Sequence, residues 1–320
     1  MYDTLAHRVW ARFGDSITRP LFLKNLCRQL VDEQKKSWDE FKNACESLND
    51  TRQRDIDCTG FKVRLIYNPG RSVNTLAKVA PEKIVERRCF LCMANLPAEQ
   101  KAILYGNEFL ILGNPRPILP LHLTIAHRMH RPQSIRESTD KFLGLMKDIG
   151  PDFTVLYNGP RCGASAPDHL HFQAVPSGEM PIEKEFDVTD RFYPFNKADG
   201  VTMFKGTGLG REVILIESDD PGLIHKAFLE YLDSIRTDRD SNEEPMINVI
   251  GHCNKKHMRV LVFPRRAHRP EAFYREDEER IMVSPAVMEM GGIMVTPSQS
   301  DFDRLSAPVI EDIYREVSLI

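Results

Sequence analysis

The sequence predicts an α+β protein made of two antiparallel-sheet halves packed with helices, preceded by an N-terminal helical segment. Three observations lead to this fold class. Short segments that alternate apolar and polar residues, typical of strands, recur in both halves of the chain. Amphipathic segments at helical spacing separate them. The 320 residues, 42% hydrophobic and 28% charged, suffice for one large domain or two packed halves.

The elements follow in order along the chain. Residues 1–58 mix apolar and charged positions at helical spacing, which predicts two or three helices. Residues 59–185 form the first half, with the strands FKVRLIY, NEFLILGN, LHLTIAHR, FTVLYN and HLHFQAV and the helix SIRESTDKFLGLMKDIG. Residues 186–320 repeat this order more weakly, with the strand REVILIES, the helix GLIHKAFLEYLDSIR, a hairpin-like pair of strands and a C-terminal helix.

Charge and composition exclude several classes of partner. The formal net charge is −3 and no long basic run occurs, which disfavours a nucleic-acid partner. No apolar run approaches the roughly 18 residues that a membrane helix needs, and the first residues lack a secretory signal. The seven cysteines are odd in number and mostly scattered, which suits reduced thiols. We therefore expect a cytoplasmic protein without a membrane partner.

The stretch NGPRCGASAPDHLHFQ (158–173) carries the strongest chemical pattern. On a strand, alternate residues share one face, so His169, His171 and Gln173 are expected to project together. A neutral imidazole at His171 can attack phosphorus, and the amide of Gln173 can donate to phosphate oxygens as charge develops. The alternative is a polar strand face whose histidines bond to the backbone.

The residues before this strand are predicted to bind an anion. Backbone N–H groups of a glycine-rich loop can form a concave anion site, and Asn and Ser side chains add donors. The candidate phosphate-binding residues are Asn158, Gly163, Ala164 and Ser165.

A pair of cysteines, Cys89 and Cys92, is the second chemical pattern. Zinc accepts two thiolates at this spacing and needs two further ligands to close a tetrahedral site. A redox pair would lie between a strand and a long helix, a context that is not evident here. Two buried thiols without a metal are the other alternative.

The stretch 158–173 resembles the active-site signature of the histidine-triad superfamily, in the transferase and phosphorylase branch that has Gln where the hydrolases have a third His. This branch includes galactose-1-phosphate uridylyltransferase, dinucleoside tetraphosphate phosphorylases and GDP-sugar phosphorylases. The resemblance extends over residues 85–180. The segment VSPAVMEMGGIMVTP (283–297) is more loosely similar to GDP-sugar phosphorylases.

The resemblance implies roles for individual residues. It implies that His171 attacks the α-phosphate and becomes nucleotidylated, while Asn158, Gly163, Ser165 and Gln173 hold phosphate oxygens. The hydrolases have an acidic residue for the ribose where this chain has Leu112, so Asn114 is the candidate for that contact. Arg71, in YNPGR, matches a Gly-Arg stretch of GDP-sugar phosphorylases and is a phosphate-binding candidate; the alternative is an ordinary surface arginine.

The resemblance also implies a ligand set for a structural zinc ion. In the uridylyltransferases a matching cysteine pair binds zinc together with a later histidine and the first His of the His-x-His pair. In this chain the four ligands are Cys89, Cys92, His130 and His169, with His127 as a less favoured substitute for His130.

Together these features predict a nucleotidyltransferase that acts on nucleoside diphosphate sugars, most simply a GDP-hexose-type phosphorylase that uses inorganic phosphate. The rivals are a dinucleoside polyphosphate phosphorylase and a hexose-1-phosphate uridylyltransferase. A non-catalytic nucleotide-sensing module is the alternative from another class. The expected partners are small molecules, and a homodimer is left open beside a monomer.

Overall fold

The structure is a computed structural model that describes residues 2–14, 22–71, 87–236 and 243–319, with only the backbone for residues 2–4 and 71. The helices are α1 (Tyr2–Arg8), α2 (Leu23–Ser37), α3 (Asp39–Glu46), α4 (Thr139–Ile149), α5 (Pro221–Ser234), α6 (Glu271–Tyr274), α7 (Val287–Met290), α8 (Gln299–Arg304) and α9 (Ala307–Val317). The strands are β1 (Val9–Phe13), β2 (Arg52–Asp57), β3 (Lys62–Tyr67), β4 (Ala102–Tyr105), β5 (Phe109–Gly113), β6 (Leu123–His127), β7 (Phe153–Asn158), β8 (His171–Pro176), β9 (Phe192–Ala198), β10 (Val201–Gly206), β11 (Ile214–Ser218), β12 (Ile247–Asn254), β13 (His257–Pro264) and β14 (Ile293–Thr296).

Both halves contribute to one large sheet. Its order is β1-β4-β5-β6-β8-β7-β12-β13-β11-β10-β9, and the halves meet where β7 and β12 pair antiparallel. Counted outward from this junction, the order is β7-β8-β6-β5-β4 in the first half and β12-β13-β11-β10-β9 in the second. In chain order these are the fourth, fifth, third, second and first strands of each half. In each half a helix, α4 or α5, connects the third strand to the fourth. The predicted α+β class with two antiparallel halves is confirmed, and the halves are repeats of one topology.

The N-terminal segment is less helical than predicted. Helices α2 and α3 are present, but β1 pairs parallel with β4 at one edge of the large sheet. Strand β2 pairs with β3, and β3 pairs with β14, in a separate three-stranded sheet. The sequence RQRDID of β2 is exposed at all positions but one, so it lacks the alternation that identifies a strand. This hairpin of β2 and β3 spans the proposed domain boundary at residue 58.

The large sheet has a core on each face. Helices α2, α4 and α5 cover one face, where Phe142 is buried. The small sheet and helices α7, α8 and α9 cover the other, where Ile313 is buried. Phe172 of β8 belongs to the first core. Because side chains alternate along a strand, His171 and Gln173 face the second side, beneath the C-terminal segment.

No helix in the described part of the chain is long and apolar enough to cross a membrane.

Candidate active site and metal centre

His171 is the first residue of β8 and is 6% exposed. Its Nδ1 lies 2.8 Å from the carbonyl oxygen of His169. A carbonyl can only accept, so Nδ1 carries the proton and Nε2 keeps its lone pair. Burial lowers the pKa of His171 to about 4, so the ring is neutral. A neutral imidazole with a free Nε2 lone pair is the form that attacks phosphorus.

The amide of Gln173 is oriented by a histidine that sequence reasoning missed. Its Oε1 lies 2.8 Å from Nε2 of His122. Nδ1 of His122 accepts from the backbone N–H of Ile118 at 3.3 Å, so Nε2 of His122 is the protonated nitrogen and donates to Gln173. Gln173 is therefore left with its amide nitrogen as the end that can donate to a ligand.

The predicted anion-binding residues lie in the loop of residues 159–170, which connects β7 to β8. Gly163 has a φ of +94°, and a Cβ there would lie 2.5 Å from the Cβ of Ala286. Only glycine fits both conditions. Ala164 is buried, so its backbone rather than its methyl group is available to an anion. Ser165 is partly exposed, and its carbonyl oxygen accepts from Arg87 at 3.3 Å.

Asn158 has a structural task beyond its predicted phosphate contact. Its Oδ1 accepts from Nδ2 of Asn248 at 2.8 Å and from the backbone N–H of Val287 at 2.7 Å. These bonds join the first half to the second and to the C-terminal segment. Because the oxygen is occupied, only the amide nitrogen of Asn158 can serve a phosphate.

A buried arginine, Arg265, fixes the same junction. Its five N–H groups donate to Asn248 Oδ1 and to the carbonyl oxygens of residues 267, 268, 285 and 317. It is 3% exposed. Because every donor is used, Arg265 ties the segment around Pro285 to Asn248 of β12 and has no N–H left for a substrate.

The ribose and phosphate candidates outside the loop differ in their placement. Asn114 lies 3.5 Å from His122, measured from Nδ2 to Nε2, and therefore borders the Gln173 side of the site. Leu112 is 1% exposed within an apolar core, which removes it from ribose contact. Arg71 ends a 3-10 turn, and its side chain lies outside the described residues.

The four predicted metal ligands come together. The ligand atoms of Cys89, Cys92, His130 and His169 all lie within 4.8 Å of one another. Cys89 Sγ is 3.3 Å and Cys92 Sγ 3.7 Å from His169 Nδ1, and Cys92 Sγ is 3.2 Å from His130 Nδ1. Tetrahedral zinc, with Zn–S about 2.3 Å and Zn–N about 2.05 Å, places S and N about 3.6 Å apart. The donor set and its spacing fit a closed tetrahedral metal site.

The surroundings of the metal ligands support this interpretation. The Nε2–H of His169 donates to the carbonyl oxygen of His127 at 2.6 Å, which leaves Nδ1 for a metal. His127 thus contributes its backbone and lies outside the ligand cluster. The cysteine pair precedes a short 3-10 turn, Met93–Asn95, rather than the long helix of a redox motif. His169 therefore has two sets of neighbours: its Nδ1 faces the thiols of Cys89 and Cys92, and its carbonyl oxygen accepts from His171.

The other histidine-rich group of the sequence, His252, Cys253, His257 and His268, does not converge. Within the described ranges the Cys89 cluster is the one group with metal-ligand spacing. His257 bonds instead to Asp219 at the surface, and His252 lies beside Thr154 and Ser177.

His171 at the start of a strand, a glycine-containing loop before it and a Cys2His2 cluster beside it form the arrangement that the sequence resemblance to the transferase and phosphorylase branch of the histidine-triad superfamily predicts. The comparisons agree. A family model for a domain of unknown function, DUF4922, matches residues 30–176, and a model described as GDPGP1-like, C-terminal domain matches residues 243–320. No curated protein matches the chain.

Among solved structures, yeast Ap4A phosphorylase Apa2 superposes on most of the chain. Apa2 in complex with Ap4A has a TM-score of 0.60 and 15% identity, covering 93% of this chain and 99% of that chain. A second Apa2 structure has a TM-score of 0.62 and 14% identity, covering 92% and 97%. At this identity the likeness shows the fold. The likeness to Apa2 and the GDPGP1-like match agree with the branch that the sequence predicts.

Proposed function

We propose that the chain is a nucleotidyl-transferring phosphorylase that works through a nucleotidyl-histidine at His171. The observation that carries the proposal is the hydrogen bond from Nδ1 of His171 to the carbonyl oxygen of His169. It leaves a neutral ring with its lone pair on Nε2 beside the loop of residues 159–170. A nucleotide-sensing module would not need a nucleophile.

The reaction is a double displacement. Nε2 of His171 attacks the α-phosphorus of a nucleoside diphosphate sugar, an N–P bond forms, and the bond to the bridging oxygen breaks, releasing hexose 1-phosphate. An oxygen of inorganic phosphate then attacks the same phosphorus, the N–P bond breaks, and a nucleoside diphosphate leaves. While the N–P bond exists, the ring is positively charged, and its Nδ1–H bond to the carbonyl of His169 stabilises that charge.

The remaining site residues bind and orient the phosphates. The amide nitrogen of Gln173, oriented by His122, would donate to an α-phosphate oxygen as negative charge develops there. The backbone N–H groups of Gly163 and Ala164, with Ser165 and Asn158, would hold the other phosphate oxygens. Asn114 is the proposed ribose contact and Arg71 a further phosphate ligand.

We propose structural zinc as the metal at Cys89, Cys92, His130 and His169. Two thiolates and two imidazoles are the donors that zinc prefers in closed sites. Zinc bound there supplies rigidity, because it fixes His169 and so the carbonyl that orients His171.

The substrate class is chosen between two supported alternatives. A GDP-hexose-type sugar nucleotide is supported by the GDPGP1-like model over residues 243–320, a segment that packs on the loop through Ala286 and Gly163. A dinucleoside polyphosphate such as Ap4A is supported by the fold shared with Apa2. A hexose-1-phosphate uridylyltransferase is the third candidate, in which a sugar phosphate replaces inorganic phosphate. All seven cysteines are free, which fits our proposal of a cytoplasmic location.

A phosphorolysis screen tests the proposal. Purified protein is incubated with inorganic phosphate and, separately, with GDP-hexoses, UDP-hexoses and Ap4A, and products are separated by ion-exchange chromatography. We expect a nucleoside diphosphate and a hexose 1-phosphate from a GDP-hexose. Release of ADP and ATP from Ap4A alone would replace the sugar-nucleotide assignment with the rival. Binding without turnover of any of them would favour the sensing module.

A further inference from the structure

The ladder between β7 and β8 ends before it reaches His171. The last paired residues are Leu156 and Gln173, and continuation of this register would place Asn158 opposite His171. Instead the strands separate at this point to admit the loop of residues 159–170. A buried side chain, Gln133, occupies the gap.

The amide of Gln133 bonds to both separated strands. Its Oε1 accepts from the backbone N–H of His171 at 2.8 Å. Its Nε2 donates to the carbonyl oxygens of Asn158 at 2.8 Å and His171 at 3.0 Å. The side-chain amide thus takes the place of a backbone peptide between the strands, and Gln133 is 3% exposed.

Gln133 is itself held on a segment, residues 128–135, that is fixed at several points. The carbonyl of Arg131 accepts from the N–H of Leu170 at 2.6 Å, and the N–H of Gln133 donates to the carbonyl of Pro167 at 3.1 Å. The N–H of Ile135 donates to Glu244 at 2.7 Å. The same segment carries the metal-ligand candidate His130. Gln133 therefore transmits the position of a well-anchored segment to the backbone of His171.

We propose that Gln133 is the positioning residue of the nucleophile, an inference that rests on the proposed nucleotidyl transfer. The direction of Nε2 depends on the backbone at residues 169–171, because the ring is fixed through Nδ1 to the carbonyl of His169. Both backbone groups of His171 bond to one side chain, Gln133. Gln133 acts through His171 and touches no substrate. Its loss lets the first residue of β8 shift and misaligns Nε2 with the α-phosphorus.

The chain offers a matched control. Gln34 is 1% exposed and its amide also bonds to the backbone of another segment, accepting from the N–H of Lys101 at 2.7 Å and donating to the carbonyl of Glu99 at 3.0 Å. It lies on α2, which covers the face of the large sheet opposite His171, and its bonds reach residues 99 and 101 rather than β8. Gln34→Ala and Gln133→Ala therefore remove similar buried bonds and differ in where those bonds lie.

The test compares the two variants in single-turnover formation of the nucleotidyl adduct. Since a misplacement of about 1 Å can cost roughly 10²-fold in rate, we expect Gln133→Ala to slow adduct formation by about 10-fold to 100-fold. Nucleotide affinity and metal content should be unchanged. Gln34→Ala should form the adduct at the wild-type rate. Equal rates in the two variants would overturn the proposal.

Two further measurements keep the test decisive. Gln133→Glu retains the acceptor for the His171 N–H but loses both donors, so it should slow adduct formation even if the alanine variant folds poorly. Amide hydrogen exchange of the peptide covering residues 169–173 should be faster in Gln133→Ala than in Gln34→Ala. If wild-type protein forms no adduct with any nucleotide, the proposed function fails, whereas unchanged exchange in Gln133→Ala refutes the positioning role alone.

Discussion

The two halves of the large sheet open their fifth strands with the same residue type in different surroundings. His171 begins β8 and His257 begins β13. His171 is 6% exposed, bonds to a backbone carbonyl and has a lowered pKa because it is buried. The His257 side chain is 44% exposed and lies 3.0 Å from a carboxylate oxygen of Asp219. His171 is thus buried and bonded to the backbone, whereas His257 is exposed and paired with a carboxylate.

The connection before each strand explains this difference. Residues 159–170 separate β7 from β8, whereas only Lys255 and Lys256 separate β12 from β13. The longer connection carries the predicted phosphate-binding residues Gly163, Ala164 and Ser165 directly before His171. On the second strand, Leu261 stands on the face that carries Gln173 on β8, and it packs in the apolar core. The first half thus has a long connection, residues 159–170, before its fifth strand, and the second half has a tight hairpin at the same place in the topology.

The largest expected effect is on turnover, and it distinguishes His171 from His257. His171→Asn should lower turnover by at least ~10³-fold, because asparagine cannot form the covalent intermediate. The fold, the metal content and nucleotide binding should remain. His257→Asn should leave turnover unchanged, because its ring pairs with the carboxylates of Glu217 and Asp219 in the second half, away from β8. Steady-state kinetics checks both, and more than a few per cent residual activity in His171→Asn would be incompatible with covalent catalysis there.

The second prediction compares a cysteine of the first half, Cys89, with a cysteine of the second half, Cys253, in their effect on metal content and stability. Cys89→Ser should lower the zinc content from about one per chain and destabilise the fold by more than ~2 kcal/mol, since a structural site contributes folding energy. Cys253→Ser, in the buried β12, should leave the metal content unchanged. Elemental analysis and thermal unfolding measure both. Metal-free wild-type protein with full stability and activity would contradict the metal assignment.

A smaller effect concerns the loop present only in the first half. Ser165→Ala removes a donor near the charge that develops on the phosphate, so it should reduce turnover by roughly 10²-fold. Stability should change little, because Ser165 is partly exposed. Turnover and thermal unfolding are measured on the same sample. Unchanged turnover would show that this hydroxyl points away from the substrate.

The smallest expected effect concerns the pH dependence of stability and comes from Glu244, where the two halves meet. Glu244 accepts from Tyr157 at 2.5 Å and from the N–H of Ile135 at 2.7 Å, and burial raises its pKa to about 7 from an ordinary 4.5. Between these pH values the folded state keeps a proton that the unfolded state has lost. Stability therefore falls as pH rises through this window.

Glu244→Gln should remove that decrease, and the exposed neighbour change Glu243→Gln should preserve it. Denaturant unfolding at pH 4.5 to 8 measures the difference between the variants. Parallel pH profiles for wild type and Glu244→Gln would show that Glu244 does not titrate in this window.

The sequence predicted the parts of the molecule whose pattern is local. Alternation identified β5 to β8 and the β12–β13 pair, and residue type with spacing identified the cysteine pair and His171. Strands β1, β2, β4, β9, β10 and β14 were missed. In β9 nearly every residue is exposed, so apolar alternation is absent and strand pairing alone defines it.

The missed site residues depend on contacts across long stretches of chain. Gln133 and His122 are ordinary polar residues in sequence, and their tasks appear only when the loop, β6 and β8 come together. Likewise, β8 begins at His171, so His169 lies before the strand rather than on its face as predicted. That displacement lets the ring of His169 face the cysteine pair while His171 begins the strand.

The account depends most on covalent chemistry at Nε2 of His171. Intact mass spectrometry after incubation with GDP-hexoses, UDP-hexoses or Ap4A, without inorganic phosphate, tests it directly. We expect a mass increase of one nucleoside monophosphate in wild-type protein, on the peptide containing His171, lost on addition of phosphate and absent from His171→Asn. Turnover of a nucleotide without any such adduct, or an adduct on another residue, would contradict the account.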